Sequence, residues 1–385
     1  MFVILVKIPS LPMNTSRMRV GILFGGKSAE HEISILSAAN VLEAIDRKRW
    51  EPVLIYIDPA GKWNLLDERN SLHDFSFEAW KAGRFSSLEA CLLPGGAGRM
   101  ALNGQFSKEE VLDLVFPILH GPLGEDGTVQ GLLRIAELPF VGPGVLGSAV
   151  GMDKEVMKRL LKEAGVPIGP YLTFRRWEAA PVFTEVAGEL GMPVFVKPAN
   201  LGSSVGISRA DSETSFRQAV ELAFSFDDKI VVEAQITGRE IECAVLGNES
   251  VATASPGEII PSHRFYSYEA KYLDPQGART QIPANIDPDT EQRLRQLAVQ
   301  TYQALCCEGL SRVDFFLTDD GRVLVNEINT LPGFTRISMY PKMWEQSGLG
   351  YPELVSRLLD LAIERHQRDA RLQTQRTPNR SGESG

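Results

Sequence analysis

The sequence predicts an α/β protein with an N-terminal parallel α/β domain followed by two further α+β domains. Three observations carry that prediction. Apolar strand runs alternate with helical spacing over the first third of the chain, a second strand leads into a Gly/Ser loop near the middle, and a hairpin with one charged face lies towards the C-terminus. At 385 residues the chain is long for a single core, so two or three domains are expected.

Arg19–Phe24 reads as a buried strand, and Gly25-Gly26 turns from it into a helix carrying Ile33, Leu36, Asn40 and Val41 at helical spacing. Val53–Ile57 is a second strand and Val111–Leu119 a third, an order that indicates a parallel α/β domain. Between them Asp58–Lys108, rich in glycine and aromatic residues, is expected to be an insertion with little chemistry in it. A second α/β segment begins near Gly142, with a helix over Asp153–Ala164. Its strand Pro193–Lys197 enters the Gly/Ser loop and returns at Gly206–Ser208. A third region opens with Ile230–Glu233, contains the hairpin and closes with a helix around Leu354–Ile363.

The composition is that of an ordinary soluble globular protein, with 43% hydrophobic and 23% charged residues. A net charge of -9 and the lack of a Lys/Arg-rich run argue against non-specific nucleic-acid binding, and leave room for a local basic pocket for phosphates. Cys91, Cys243, Cys306 and Cys307 show no CxxC spacing, so free thiols in a reducing compartment are expected. The apolar run Phe2–Val6 is too short for a signal-peptide core, and Met13 and Met18 offer later starts. No stretch approaches the roughly 20 apolar residues of a membrane-spanning helix. The polar tail after about Arg365 reads as disordered.

The hairpin is the most informative segment. Leu310–Leu317 and Arg322–Asn329 flank Thr318-Asp-Asp-Gly321, and Asp320-Gly321 suits a two-residue type I′ turn. That register sets Asp314 opposite Glu327 and Arg312 opposite Asn329. A turn at Asp319-Asp320 makes the pairs diagonal but keeps the same face. Facing carboxylates repel, and a hard cation such as Mg²⁺ is the simplest reason to place them together. The alternative is a solvated face of an edge hairpin.

Other motifs are weaker one by one. Gly202-Ser-Ser-Val-Gly206, following Lys197, has the donors of a phosphate cradle, but it is not a Walker A loop, and an ordinary flexible hairpin would look the same. Gly142-Pro-Gly-Val-Leu-Gly147 matches GxGxxG yet sits at the end of the first domain, whereas a dinucleotide fingerprint follows the first strand. His120-Gly-Pro-Leu-Gly-Glu-Asp-Gly127 and Ser28-Ala-Glu-His-Glu32 each follow a strand, at the edge where open α/β sheets bind ligands. His120 suits a structural hydrogen bond as well as a functional one, and Glu30 suits a helix N-terminus. Lys154 lies on a helix, and Lys197 ends an apolar strand, where a lysine needs an anion nearby because burying it unpaired is costly. Glu233 and Glu240 bracket a loop and can accept hydrogen bonds or be solvated. Tyr266–Tyr272 is an aromatic and charged loop that could close as a lid over a charged substrate or be an ordinary, partly exposed loop.

The order of these motifs decides. Lys154, Lys197, the Gly202–Gly206 loop, Glu233, Glu240, Arg312, Asp314, Glu327 and Asn329 follow one another as in ATP-grasp enzymes. With Gly25-Gly-Lys-Ser-Ala-Glu-His-Glu-Ile-Ser34, Leu119-His-Gly-Pro-Leu-Gly-Glu-Asp-Gly127, Tyr268-Glu-Ala-Lys-Tyr272 and Asn329-Thr-Leu-Pro-Gly-Phe-Thr335, the chain closely resembles the D-alanine–D-alanine ligase family from about Met18 to Ala362.

The resemblance implies an ATP-grasp fold with an extension at 1–17, an N-terminal substrate domain at 18–142, a central domain at 143–231, a C-terminal catalytic domain at 232–366 and a tail at 367–385. It implies that Lys154, Lys197, Ser204 and Lys271 serve the ATP phosphates, and Glu233 and Glu240 the adenine and ribose. Asp314, Glu327 and Asn329 would hold two Mg²⁺ or Mn²⁺ ions. Glu30, linked to Ser203 and Tyr272, would anchor the ammonium of the first D-alanine, with His120 near its carboxyl group. Arg312 and the Gly333 N–H would stabilise an oxyanion, while Ser338 and Met339 receive the second carboxylate. Lactate-using members have a histidine where this chain has Tyr272, so D-alanine rather than D-lactate is expected as second substrate. The alternatives are a depsipeptide ligase and a non-catalytic nucleotide-binding protein on the same scaffold. A cytoplasmic homodimer with only small-molecule substrates, and no nucleic acid or membrane partner, completes the expectation.

Overall fold

The structure, a computed structural model, describes residues 17–67, 71–261 and 278–373. The expected lid with Lys271 and Tyr272, residues 1–16 of the expected extension and the end of the tail lie outside these residues.

The first sheet has seven strands: β1 (Met18–Gly25), β2 (Trp50–Ile57), β3 (Trp63–Leu66), β4 (Ser87–Leu92), β5 (Arg99–Leu102), β6 (Gln105–Val111) and β7 (Leu114–Ile118), in the order β6-β5-β4-β3-β2-β1-β7. β1 pairs in parallel with both β2 and β7, as the strand–helix–strand order predicted. The stretch from Asp58 to Lys108, expected as an insertion with little chemistry, supplies β3 to β5, the start of β6 and the short helix α2 (Phe77–Lys81), and extends the sheet in antiparallel fashion. One expectation is corrected: Val111–Leu119 is not one strand. Asp113 exchanges hydrogen bonds with the Arg19 backbone, its Oδ2 accepting from the Arg19 N–H at 2.6 Å, and splits the run into β6 and β7 at opposite edges of the sheet.

Helix α1 (His31–Ala44) lies on β1 through small side chains, Ser34, Ser37, Ala38 and Ala39, together with Ile35 and Val41; Leu36 points outward. After α3 (Thr128–Ile135), the Gly142–Gly147 motif leads into α4 (Val145–Met152). Its glycines serve packing. A Cβ on Gly142 would lie 2.6 Å from the Leu331 side chain, and one on Gly147 2.6 Å from the Cys306 carbonyl.

Helix α5 (Lys154–Glu163), capped by the Asp153 carboxylate, precedes the second sheet. That sheet is antiparallel, in the order β10 (Ser208–Ala210), β9 (Val194–Pro198), β11 (Lys229–Ala234), β8 (Tyr171–Arg175). Helices α6 (Phe183–Leu190) and α7 (Glu213–Phe226) cover one face with Val186, Phe216, Ala219 and Ala223 in a core of its own.

The third sheet runs β15 (Ala278–Gln281), β14 (Gly257–Pro261), β12 (Gly238–Gly247), β16 (Gly309–Thr318), β17 (Val323–Asn329), with β13 (Val251–Thr253) beside β12. Helix α8 (Pro288–Ala304) packs against it through Leu294, Ala298 and Tyr302. Helix α9 (Met339–Gln346) and α10 (Tyr351–Asp369) complete the chain. α10 extends beyond the expected end at Ile363 because Arg365 is drawn inward. Its guanidinium donates to the carbonyls of Phe140 and Gly142, tying the helix to the first sheet.

Candidate active site

The three sheets border a cleft of about 530 Å³. Glu30, His120 and Glu125 reach it from the first sheet, and Lys154, Gly202 and Ser203 from the central segment. Glu240, Glu242, Arg312, Asp314, Glu327, Asn329, Gly333, Ser338 and Met339 reach it from the third. The structure thus gathers most of the residues named from sequence. Lys197, Ser204 and Glu233 do not line this cleft.

The hairpin face explains the convergence. Asp314 stands opposite Glu327 and Arg312 opposite Asn329. The turn differs from the two-residue one expected. Thr318 and Arg322 close a longer loop, with Gly321 at φ 79°, and an irregularity between Asp314 and Phe315 shifts the register back. β12 adds a third carboxylate to the row, Glu242, directly opposite Asp314. Sequence reasoning passed over it, although Glu240 and Glu242 alternate with Ile241 and Cys243, whose side chains are fully buried.

Like charges side by side need compensation. The Arg312 guanidinium supplies it, with Nε 2.7 Å and Nη2 2.6 Å from the two Asp314 oxygens and Nε 3.1 Å from Glu242 Oε2. Asp314, Glu327 and Asn329 offer only oxygen ligands, the chemistry a hard divalent cation requires. Among the described residues, no three acidic, His or Cys side chains are already drawn together as a metal cage. Arg312 occupies both Asp314 oxygens, so the donor set fits a cation on condition that the guanidinium yields.

The Gly/Ser loop is tied from two sides. Lys154 Nζ donates to the Leu201 carbonyl, and the Ser203 hydroxyl donates to Glu30 Oε1. Ser203 and Ser204 both take left-handed backbone conformations, at φ 50° and 60°, which cost about 1–2 kcal/mol each for non-glycine residues. Such strain concentrates at ligand sites.

Behind this loop Lys197 Nζ lies 2.7 Å and Lys158 Nζ 3.0 Å from opposite oxygens of Glu233. Burial works against the Glu233 carboxylate, but the two lysines outweigh it and hold its pKa at about 2. Burial likewise opposes the Lys197 ammonium, and the Glu233 and Glu327 charges overcome it and raise its pKa. Burial prevails at Lys154, whose pKa is lowered. Lys158 was not singled out from sequence. It lies one helical turn past Lys154 and is 2% exposed.

His120 is buried, its Nδ1 3.8 Å from Glu125 Oε1, and its Nε2 makes no hydrogen bond among the described residues. Burial disfavours the imidazolium, but Glu125 and Glu30 more than offset it and the pKa is raised. For Glu125 burial dominates and the pKa is also raised, despite His120 and the Gly121 N–H at 2.8 Å. Glu125 sits within the quoted His120–Gly127 motif, and only the fold reveals that its carboxylate faces the histidine.

On the opposite wall Ser338 precedes α9. Its Oγ accepts from the Thr335 N–H at 3.0 Å and lies 2.8 Å from Thr335 Oγ1, which shapes the Gly333–Ser338 turn. A Cβ on Gly333 would approach Ser338 Oγ to 2.9 Å, so a side chain there would crowd the turn. The start of α9 supplies backbone N–H groups and a favourable field for an anion.

Two family models match the chain, the D-ala D-ala ligase N-terminus over residues 19–143 and the D-ala D-ala ligase C-terminus over residues 160–360. The D-alanine–D-alanine ligase A of Salmonella typhimurium is 51% identical over 361 residues, 93% of this chain and 99% of that protein. The solved D-alanine–D-alanine ligase of Coxiella burnetii is 39% identical with a TM-score of 0.83, covering 92% of this chain and 96% of that one. The D-Ala:D-Ser ligase of Enterococcus faecalis is 35% identical with a TM-score of 0.81, covering 90% and 100%. Such likeness along nearly the whole length, in a chain that folds the predicted motifs around one cleft, establishes that this protein belongs to the D-alanine–D-alanine ligase family.

Proposed function

We infer that this protein is an ATP-dependent, ADP-forming ligase that joins two D-alanines for peptidoglycan precursor synthesis. The observation that carries the reading is the Ser203–Glu30 hydrogen bond, which ties a phosphate-cradle loop to an ammonium-binding carboxylate across the cleft from the Asp314–Glu327 row.

A carboxylate is a poor acyl donor, so its oxygen first attacks the γ-phosphorus of ATP, releasing ADP and forming D-alanyl phosphate. Glu30 anchors the ammonium of this first D-alanine and His120 lies near its carboxyl group. Lys154, Lys197 and Lys271, with Ser204 in the loop, neutralise the phosphates, while Glu233 and Glu240 hold the adenine and ribose. Asp314, Glu327 and Asn329 would hold two Mg²⁺ or Mn²⁺ ions, which when bound offset phosphate charge. The second D-alanine, its carboxylate at Ser338 and Met339, attacks the acyl carbon through its neutral amine. Arg312 and the Gly333 N–H stabilise the resulting oxyanion, phosphate leaves and the new amide loses a proton. Tyr272, which lies outside the described residues, would present a neutral group to the second substrate and so favour D-alanine over D-lactate. A cytoplasmic homodimer remains part of this reading; among the described residues no helix is long and apolar enough to cross a membrane.

Hydroxylamine trapping tests the acyl phosphate. D-alanyl hydroxamate is expected only when ATP and D-alanine are both present. ADP release with neither hydroxamate nor dipeptide would contradict the scheme.

A further inference from the structure

The turn that carries Ser338 is held from behind by a tyrosine to which the proposed chemistry gives no task. Tyr351 opens α10, and its hydroxyl donates to the Phe334 carbonyl at 2.7 Å. The N–H of the same peptide, that of Thr335, donates to Ser338 Oγ at 3.0 Å. In a planar trans peptide the C=O and N–H point in opposite directions, so fixing the carbonyl aims the N–H. Phe334 is itself anchored. It is 2% exposed, its N–H donates to Ser37 Oγ at 3.3 Å, and its ring packs against Phe116, Tyr340 and Tyr351 with centroids 5.6, 5.7 and 6.1 Å away. Burial and the nearby Glu43 charge raise the Tyr351 pKa, so the phenol stays a donor.

We propose that Tyr351 and Thr335 are positioning residues for the second D-alanine, holding Ser338 so that its hydroxyl proton is free for the substrate carboxylate. The proposal rests on the assignment of that carboxylate to Ser338 made above. A serine hydroxyl has one proton to donate and two lone pairs that accept. The Thr335 N–H fills one lone pair, and Thr335 Oγ1, 2.8 Å away, can fill the other. With both filled, the Ser338 proton has no partner on Thr335 and turns to an anion in the cleft, which Ser338 lines. Were Ser338 to donate to Thr335 instead, it would present the carboxylate only a lone pair, and two acceptors repel. Without the Tyr351 hydroxyl the Phe334 carbonyl loses this donor and the peptide is free to tilt, which loosens the N–H that fixes Ser338.

Two readouts separate the half-reactions in the full-length protein. One is the KM for the second D-alanine in dipeptide synthesis; the other is D-alanyl hydroxamate formed with hydroxylamine, which needs no second D-alanine. Tyr351→Phe removes only the hydroxyl and should raise that KM about tenfold, the worth of one hydrogen bond, with hydroxamate formation unchanged. In a Ser338→Ala background the same substitution should have little further effect, because its route to the substrate is gone. An unchanged KM, an equal fall in hydroxamate formation, or a rise repeated in full in Ser338→Ala would each overturn the proposal. Thr335→Val removes the second donor to Ser338 Oγ and carries the test should Tyr351→Phe fail to fold, with the same outcomes expected and the same results overturning it. Ser338→Ala alone reports on the carboxylate assignment. If it leaves the KM unchanged, that assignment fails and takes the proposal with it, whereas a raised KM with full additivity removes the positioning role alone.

Discussion

Individual side chains in and behind this cleft are set by what their neighbours do to their charge. Glu233, between Lys158 and Lys197, keeps a pKa of about 2, below the ordinary carboxylate value, so its contribution to stability is complete above about pH 5 and is lost as pH falls towards 2. The thermal midpoints of the unmodified protein and Glu233→Gln should therefore differ most near neutrality and converge as the pH approaches 2; a constant difference would contradict the clamp. Glu327 belongs to the row opposite Asp314, and Glu327→Gln preserves its shape while removing one charge. Turnover should fall at least about 100-fold with the thermal midpoint retained, and near-normal turnover at saturating Mg²⁺ would contradict its role. At this scale the sequence displayed Glu30, Lys154, Asp314 and Glu327 through motif order. Lys158 and Glu242 stayed hidden because their partners, Glu233 and Arg312, lie far away in sequence and meet them only through packing and cross-strand register.

Elements were legible where period and length agreed. β1, β2, α5 and the hairpin strands follow strong apolar patterns, and each forms within a few residues of its expected span. β3 and β5 have four residues each, set among turns at Gly61, Gly98 and Gly104, too short for a period-2 signal to stand out. The hairpin teaches a subtler lesson. Its longer loop and the irregularity after Asp314 are compensating departures from the expected register, so Asp314 still meets Glu327 although the turn is different. Gly321 supplies the left-handed φ of 79° that this loop needs. Among the described residues, none beyond its chain neighbours comes within 4 Å of a Cβ built there, so Gly321→Ala isolates the backbone cost, about 1–2 kcal/mol. A lowered thermal midpoint with unchanged KM for both substrates is expected. An unchanged midpoint would show that the loop does not require the glycine.

Across the whole molecule, the first and third sheets share apolar contacts while the central sheet keeps its own core. Phe116 of β7 meets Phe334 edge to face at 5.6 Å, within a cluster that also holds Leu354 and Leu358 of α10. The central sheet, by contrast, buries Val194, Val196 and Val232 against its own helices and reaches the first domain through the polar Ser203–Glu30 contact. A division of this kind leaves the Gly202–Gly206 loop, proposed to cradle phosphates, outside the core that the first and third sheets share. The cleft is proposed to activate one D-alanine with ATP and deliver it to a second. The most direct test incubates the protein with ATP, Mg²⁺ and D-alanine, alone and with D-serine or D-lactate, and identifies the product while counting phosphate released. D-alanyl-D-alanine is expected in equal amount to phosphate, with the mixed products minor at neutral pH. Phosphate release that does not depend on D-alanine, or mainly the D-lactate product, would contradict it.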